Sequence, residues 1–361
     1  MNHYRHYLFV LSFLSILGCR SGQKDIQWVT ENIESTVMKS DSSKVGISPV
    51  LNYKDRLFYM QPRSEKPVVV YQTRGDSLIF NGELLRKGDG PVDMNIPVLK
   101  IDPLTDSLYA LGLYNRENKI FRCSLSENDL PDEETWERTL WRGNFNIKDA
   151  CPIGNGQFMT TGSAQDSDKM IFLFNPKKES FVPLDCPFPD DKVGEPISKS
   201  IIYSGRIEKH PDKNRFVYYA RTYGRYFFIF EYENGVFKKI ATPLDILPDY
   251  ELTSGVSKRK VAPECLSGIR EIYVTSRYLY VEYSPYSLEE IREMVDESDD
   301  WRYSNRIYVF DWDGNPVKCY HTDQPIDIFT VTTDDRYLYA TGIPAEGEDI
   351  TLRFNLYSSS H

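Results

Sequence analysis

A short pattern that recurs six times along the chain constrains its fold more than any other feature. Each copy sets a polar or charged residue before an apolar and aromatic run, as in Arg-Leu-Phe-Tyr at residues 56–59. The marker residues of the six copies are Leu57, Leu108, Phe158, Phe216, Leu279 and Leu338. Their spacings are 51, 50, 58, 63 and 59 residues. Such periods are typical of propellers and solenoids, and the 14% aromatic content favours the propeller because aromatic residues favour strands.

A second apolar run follows each marker residue, and its distance shows where an insertion lies. In five copies it is centred 12 or 13 residues after the marker, at Val69, Ile120, Ile171, Phe228 and Ile350. In the remaining copy Ile307 follows Leu279 by 28 residues instead of 12, an excess of 16. Within that excess Ser287 and Glu290 have the spacing of a capping box. We therefore predict a short helical insertion in blade five.

Each repeat also has room for a strand before the marker and another after the second run. In repeat four the outer hairpin turns at Glu233-Asn234-Gly235, a strong hairpin signal. Repeat six ends after its third strand, near Tyr357, so its fourth strand has to come from elsewhere. The strand-like segment Asp25–Thr30 is predicted to be that outer strand, which closes the ring. The expected fold is all-β: a six-bladed propeller with four strands per blade, in one domain over residues 26–361.

The first nineteen residues carry a targeting signal. A positive charge at Arg5 precedes an apolar run from Leu8 to Leu17. This run is too short for a membrane-spanning helix, which needs about 20 residues, and it has the length of a signal-peptide core. The run ends in Ile-Leu-Gly-Cys at residues 16–19, which resembles the bacterial lipoprotein lipobox. The resemblance implies cleavage before Cys19 and lipidation of Cys19.

This interpretation divides the N-terminus into a signal peptide (1–18) and a lipid-anchored tether (19–25). The protein would be exported and held on the membrane by acyl chains. Arg20 stands where an Asp would be the inner-membrane retention signal of enteric bacteria, which favours the outer membrane and leaves the leaflet open. The alternative is an ordinary secretory signal with Cys19 near its cleavage site by coincidence.

Two stretches resemble one family of proteins. Gly88-Asp89-Gly90-Pro91 is similar to the Gly-x-Gly-Pro link between blades one and two of the TolB-like six-bladed propeller lipoproteins of Gram-negative gut bacteria. That family usually has a Glu soon after the Pro, whereas the nearby acid here is Asp93. Residues 307–317 are similar to the family's late-blade Phe-Asp-x-x-Gly hairpin. The resemblance implies the fold and export, and it implies no activity because fold does not determine function.

Charge and motif content exclude several classes of function. The net charge of −10 argues against binding along a nucleic-acid backbone. Beyond the signal peptide the histidines are His210, His321 and His361, and the sequence has no HExxH, GxSxG or P-loop motif. We therefore predict no catalytic residue, no metal site and no cofactor.

Five cysteines follow Cys19, and their number limits disulfide formation. They are Cys123, Cys151, Cys186, Cys265 and Cys319. An exported protein can form disulfides, but an odd count leaves at least one thiol unpaired within the chain. We interpret them as small buried hydrophobic residues.

Propellers bind ligands at the mouth of the central channel, so polar residues in the innermost strands and adjoining loops are candidates for binding. The candidate ligand-binding residues are Arg206, Arg221, Tyr223, Arg225, Arg270 and Glu271. Arg and Tyr side chains can hold a carboxylate or a sugar, but they can also satisfy loop carbonyls. We expect the loops that flank one strand to lie at opposite ends of a blade, so that these residues do not all share a site.

Three functions remain open from the sequence. The first is a non-enzymatic binding or scaffold lipoprotein, with a glycan, a peptide or an envelope protein as its partner. The second is a propeller enzyme, a glycan hydrolase or lyase, which requires two or three acids with Arg or His at one channel mouth. The third is an envelope sensor or partner subunit, which an exposed apolar face on Leu288, Ile291 and Val295 would support. A closed propeller needs no partner for its stability, so a monomer is predicted.

Overall fold

Strands make up most of the chain in this computed structural model. The described residues are 26–41, 48–113, 118–126, 129–143, 145–164, 167–192, 196–252, 259–295, 302–342 and 350–357. The predicted signal peptide, Cys19 and the tether up to residue 25 lie outside them. Among the described residues, no helix has both the length and the apolar character needed to cross a membrane.

The strands follow one another as successive blades. Three short strands come first: β1 (Thr30–Ile33), β2 (Ser35–Val37) and β3 (Lys39–Ser40). Blade one contains β4 (Ser48–Tyr53), β5 (Arg56–Met60), β6 (Val68–Arg74) and β7 (Ser77–Leu84). Blade two contains β8 (Val98–Asp102), β9 (Ser107–Gly112), β10 (Lys119–Ser124) and β11 (Glu137–Leu140), with a 3₁₀ helix at Glu133–Thr135. Blade three contains β12 (Asn146–Gly154), β13 (Gln157–Ser163), β14 (Ile171–Asn175) and β15 (Ser180–Pro183).

Helix and hairpin insertions accompany the later blades. Helix α1 (Pro196–Ile202) precedes blade four, which contains β16 (Gly205–Lys209), β17 (Arg215–Ala220), β18 (Arg225–Glu233) and β19 (Val236–Ile246). The hairpin of β20 (Tyr250–Leu252) and β21 (Arg259–Val261) leads to blade five. Blade five contains β22 (Ile269–Val274), β23 (Tyr278–Tyr283), helix α2 (Leu288–Val295), β24 (Ser304–Asp311) and the start of β25 (Pro316–Val331). Blade six contains the end of β25, β26 (Tyr337–Gly342) and β27 (Ile350–Asn355).

The six marker residues occupy equivalent positions in the blades. Each lies in the second strand of its blade, in β5, β9, β13, β17, β23 or β26, and none is more than 3% exposed. Each second strand pairs antiparallel with the strands before and after it. The sequence repeat therefore corresponds to the buried second strand of each blade. The predicted all-β, six-bladed architecture is confirmed.

Packing between blades, rather than one continuous sheet, brings the ring together. The innermost strands β4, β8, β12, β16 and β22 contact one another in that order. Strand β25 is long enough to serve two blades: its first half pairs with β24 in blade five, and its second half pairs with β26 in blade six. Strand β25 also contacts β4, so the innermost strands surround a central channel.

The N-terminal segment lies on the outer edges of three blades, which corrects one detail of the prediction. The outer strand of blade six is β2, antiparallel to β27, and not Asp25–Thr30. Strand β1 pairs in parallel with β25 of blade five, and β3 pairs in parallel with β7 of blade one. The strand-like character of Asp25–Thr30 has another cause: the Trp28 ring packs on Tyr308 and Phe310 of blade five, each at a centroid distance of 5.1 Å.

Helix α2 confirms the predicted insertion and its cap. The Ser287 amide donates to Glu290 Oε2 at 2.7 Å, and the Glu290 amide donates to Ser287 Oγ at 3.2 Å. This reciprocal pair is the capping box. On the apolar face Leu288 and Ile291 are half-buried, whereas Val295 is 50% exposed. The blade thus covers only part of this face.

Two predicted glycine turns are present where the chain requires them. Asn234 and Gly235, with φ of 52° and 83°, form the two-residue hairpin between β18 and β19. The Gly88–Pro91 stretch links blades one and two, and a Cβ on Gly88 would lie 2.8 Å from Asp93 Oδ2. Lys119 Nζ fixes the link from blade two by donating to the carbonyl oxygens of Gly90, at 2.8 Å, and Asp93, at 3.0 Å.

The five cysteines after the tether are all buried free thiols. Burial raises the pKa of Cys123 and of Cys186 to about 12 in each case. Such thiols stay protonated at neutral pH and act as small apolar side chains.

Candidate functional site

A cavity of about 600 Å³ occupies the central channel. Residues from β4, β8, β12, β16, β22 and β25 line it, so every blade contributes to its wall. Its volume lies within the roughly 300–1,000 Å³ typical of small-molecule sites. Much of the wall is apolar, formed by Leu51, Ile101, Ile272 and Phe329 among others, and charged side chains project into it from several strands.

The first charged group joins blades four and five. Arg206 Nη1 on β16 lies 2.8 Å from Glu271 Oε2 on β22, and the Tyr219 hydroxyl donates to Glu271 Oε1 at 2.7 Å. Burial alone would raise the pKa of Glu271, but the positive charges of Arg206 and Arg221 outweigh it and hold the pKa below its ordinary value. Glu271 is therefore an anion at neutral pH.

The second charged group joins blades two, three and four. Lys100 Nζ on β8 lies 3.1 Å from Asp149 Oδ2 on β12 and also contacts Glu208 Oε1 on β16. It donates a further hydrogen bond to the Ile207 carbonyl at 3.1 Å. Burial alone would lower the pKa of Lys100, but the carboxylates of Asp149 and Glu208 raise it overall. A buried ammonium group thus links three innermost strands.

A third charged group joins the start of β22 to the second half of β25. Arg270 pairs with Asp327, and its Nε lies 3.4 Å from Glu282 Oε1. Arg302 Nη2 lies 3.2 Å from the other oxygen of Asp327. Glu282 is fully buried, and burial raises its pKa well above the ordinary value. Two arginines therefore share Asp327 at the channel wall.

Replacing Glu208 by glutamine is expected to remove a pH dependence of stability. Burial among neighbouring acids raises the pKa of Glu208 from 4.5 to about 7 in the folded protein. A carboxyl group whose pKa is raised by folding contributes stability that is fully present below its unfolded pKa and is lost as the pH rises through its folded pKa. Wild type should therefore lose stability between pH 4.5 and about 7 relative to Glu208→Gln.

Urea unfolding of both proteins across about pH 4 to 8 measures this difference. The exposed residue Glu233 supplies the control, since Glu233→Gln should follow the wild-type profile at every pH. Parallel profiles for wild type and Glu208→Gln would contradict the assignment.

The predicted ligand-binding residues fall into two sets. Arg206 and Glu271 line the channel and face each other, and Arg270 lies next to them through its pair with Asp327. Arg221 Nε donates to the Arg270 carbonyl at 3.2 Å. These four residues come together, and their role in binding stays a prediction.

Tyr223 and Arg225 lie away from the channel wall. Tyr223 packs against the apolar core and forms a bridge to Ser267. Arg225 donates to the Ser284 carbonyl at 3.0 Å and lies 4.5 Å above the Tyr283 ring. Arg206 lies near the start of β16, opposite Tyr219 near the end of β17, so it is at the same end of blade four as the loop between β17 and β18.

Sequence reasoning missed Lys100, Asp149, Glu208 and Asp327. A signal for three of them exists in the repeat itself. Lys100 and Glu208 each lie eight residues before their markers, and Asp149 lies nine before its own. Glu271, which was predicted, also lies eight residues before its marker. A charged residue eight or nine residues before a marker therefore indicates the innermost strand, which surrounds the channel.

Acidic and basic side chains thus converge in one channel, and the acids are paired. Glu208, Glu271 and Asp327 line the cavity together with Arg206 and Arg302. Each of these three acids has a Lys or Arg partner. Within the described ranges, no group of three or more His, Cys, Asp and Glu side chains is arranged to hold a metal ion.

Six blades around a channel of paired charges define a six-bladed β-propeller with a central cavity. The chain belongs to the TolB-like six-bladed propeller family, whose model matches residues 76–334. The family predicted from the Gly-x-Gly-Pro link and the late hairpin is therefore confirmed.

Two solved structures are similar to this chain at low sequence identity. A member of the DUF4221 family from Bacteroides vulgatus is 11% identical, with a TM-score of 0.53, and the match covers 91% of this chain and 97% of that one. The structure of U3-55K is 8% identical, with a TM-score of 0.46, and the match covers 89% of this chain and 98% of that one. No curated protein sequence matches the chain.

Proposed function

We propose that this protein is a lipid-anchored binding protein of the cell envelope that holds its ligand in the central channel. One observation carries the proposal: a cavity of about 600 Å³ whose wall combines apolar side chains with charges of both signs from several blades. Apolar walls with a few converging polar groups are the usual form of a ligand site.

The pairing of the charges favours binding over catalysis. Arg206 is 27% exposed and Glu271 is 13% exposed, so both can meet a molecule that enters the channel. A ligand with charged groups of both signs could pair its anion with Arg206 and its cation with Glu271. No buried charge would then be left unpaired. An amphiphilic ligand with charged ends, such as a short peptide or a charged glycan, fits this description.

Export and anchoring are proposed from the N-terminal sequence. The lipobox-like stretch at residues 16–19 supports lipidation at Cys19, and Arg20 supports the outer membrane. The short interval between Cys19 and the first described residue, Ile26, spans roughly 25 Å at most when extended. The propeller would then act close to the membrane surface, as a monomer.

A glycan hydrolase or lyase is the second candidate, and one observation favours it. Glu208 and Glu271 line the same channel, and their pKa values are displaced in opposite directions from the ordinary value. Such divergence is typical of an acid and base pair. Release of new sugar ends from an oligosaccharide, abolished by Glu208→Gln, would favour this candidate over simple binding.

The binding proposal predicts a ligand-dependent rise in melting temperature that requires Arg206. Purified full-length protein would be screened with oligopeptides, glycans and divalent metal ions. A ligand present at a hundredfold excess over its Kd stabilises the folded state by about 2.7 kcal/mol. Arg206→Gln should abolish most of the shift, because it removes the channel's partner for a ligand carboxylate.

The matched control is Arg353→Gln. Arg353 forms a similar pair with Asp76 at 2.6 Å, is 19% exposed and lies on the outer rim instead of the channel. This variant should keep the full ligand shift. A flat screen with a well-folded protein, or equal loss in both variants, would contradict a channel site.

A further inference from the structure

A second cavity, of about 320 Å³, lies between the N-terminal segment and blade five. The residues that line it are Trp28, Thr30, Tyr283, Arg306, Tyr308, Cys319 and His321. All of these strand residues face the same side of the blade, because Arg306 pairs with His321 and Tyr308 pairs with Cys319 across β24 and β25. The cavity shares no lining residue with the central channel.

Aromatic rings form one wall of this cavity. Tyr283 and Tyr308 are stacked with their centroids 4.4 Å apart and their planes 1° from parallel. Trp28 lies 5.1 Å from Tyr308 at a tilt of 57°, so its indole extends the wall across to the N-terminal segment. Stacked rings in a blade are rigid and present an apolar surface at little entropic cost.

The polar side of the cavity is cationic. Arg306 is exposed and hydrogen-bonds the Tyr308 hydroxyl, and no carboxylate among the described residues lies within ion-pair distance of its guanidinium. None of the described lining residues is acidic. In a chain with a net charge of −10, a cavity with a guanidinium and no acid selects an anion.

The remaining groups indicate a hydroxylated ring. Thr30 supplies a hydroxyl group at the rim, and His321 supplies ring nitrogens, one of which lies 2.7 Å from the Asn305 side-chain amide. A single guanidinium balances the charge of one carboxylate. A phosphate monoester carries about −1.5 to −2 charges, so one guanidinium fits a carboxylate better than a phosphate. The volume lies near the lower end of the usual range, roughly 300 Å³, which admits one or two sugar rings.

We infer that this cavity is a subsite for a sugar acid, whose carboxylate pairs with Arg306 while its ring packs against Trp28 and the stacked tyrosines. The inference does not depend on the channel proposal. It assigns the second cavity to a uronate residue, either free or at the end of a glycan.

Binding of glucuronate compared with glucose tests the inference. Titration calorimetry on purified full-length protein should show glucuronate binding at least tenfold more tightly than neutral glucose. Arg306→Gln should reduce that preference to less than twofold, because it removes the only guanidinium that lines the cavity among the described residues. Trp28→Ala should weaken glucuronate binding but keep the preference for glucuronate over glucose.

Two control variants distinguish binding in this cavity from binding at an arginine elsewhere on the protein. Arg142→Gln changes an exposed arginine at the surface of another part of the propeller and should bind glucuronate as wild type does. Arg353→Gln, which changes an arginine that lines neither cavity, should do the same. Equal affinity for glucose and glucuronate, no binding of glucuronate, or a preference that survives Arg306→Gln or disappears in Arg353→Gln would overturn the inference.

Discussion

Replacing Lys100 by methionine is expected to lower the free energy of unfolding by about 3–5 kcal/mol, because it leaves two carboxylates without their buried cation. Lys100 and Asp149 side chains are 7% and 1% exposed, so water cannot replace the lost partner of Asp149. Methionine keeps most of the side-chain volume, which limits the cavity term. Equilibrium urea unfolding at neutral pH measures the loss.

The loss should shrink in acid. The pKa of Glu208 is about 7 in the folded protein, so at about pH 5 Glu208 is protonated and needs no cation, and Lys100→Met should cost less there than at neutral pH. Lys66→Met is the matched control, because Lys66 and Glu133 form an exposed pair, 43% and 33% exposed, worth less than about 1 kcal/mol. A loss for Lys100→Met as small as the control's would show that the three-strand link carries no stability.

Replacing Cys19 by serine is expected to abolish membrane anchoring altogether. If Cys19 carries the lipid, the variant has no acyl chain and loses the whole affinity of that chain for the bilayer. Expression in a Gram-negative host with labelled palmitate provides the measurement. Wild type should be labelled and sediment with membranes, whereas Cys19→Ser should be unlabelled and remain in the supernatant.

The neighbouring residue, Arg20, provides a control for the predicted membrane location. Arg20→Asp keeps the lipid and should move the protein from the outer-membrane to the inner-membrane fraction, since it creates the retention signal of enteric bacteria. Label on Cys19→Ser would mean that lipidation occurs elsewhere or that the label reports another process, and the lipobox interpretation would fail.

The blade architecture could be predicted because its signal is local and repeated. Each marker residue lies in the same strand of its blade, and the insertion in blade five is indicated by the single long interval and the Ser287–Glu290 cap. The pairing of the N-terminal segment could not be predicted in the same way. A strand-like stretch predicts a strand, but it does not say which blade that strand joins. The N-terminal segment pairs with the outer edges of three blades, and its Trp28 packs on blade five.

The channel could be predicted only in part because its chemistry depends on distant residues. Lys100 is 49 residues from Asp149 and 108 from Glu208, and only closure of the ring brings them together. Arg206 and Glu271 were identified because each is a charged residue in or next to a predicted innermost strand. Their pairing with each other, 65 residues apart, follows from the contact between blades four and five.

The route of the N-terminal segment has a consequence for how the propeller opens. Strands β1, β2 and β3 are one continuous stretch of chain that hydrogen-bonds to blades five, six and one. Separating two of these blades therefore requires breaking hydrogen bonds of this stretch as well as the contacts between the blades. The same stretch thus ties two interfaces between blades, five with six and six with one, so we expect these three blades to resist local opening together.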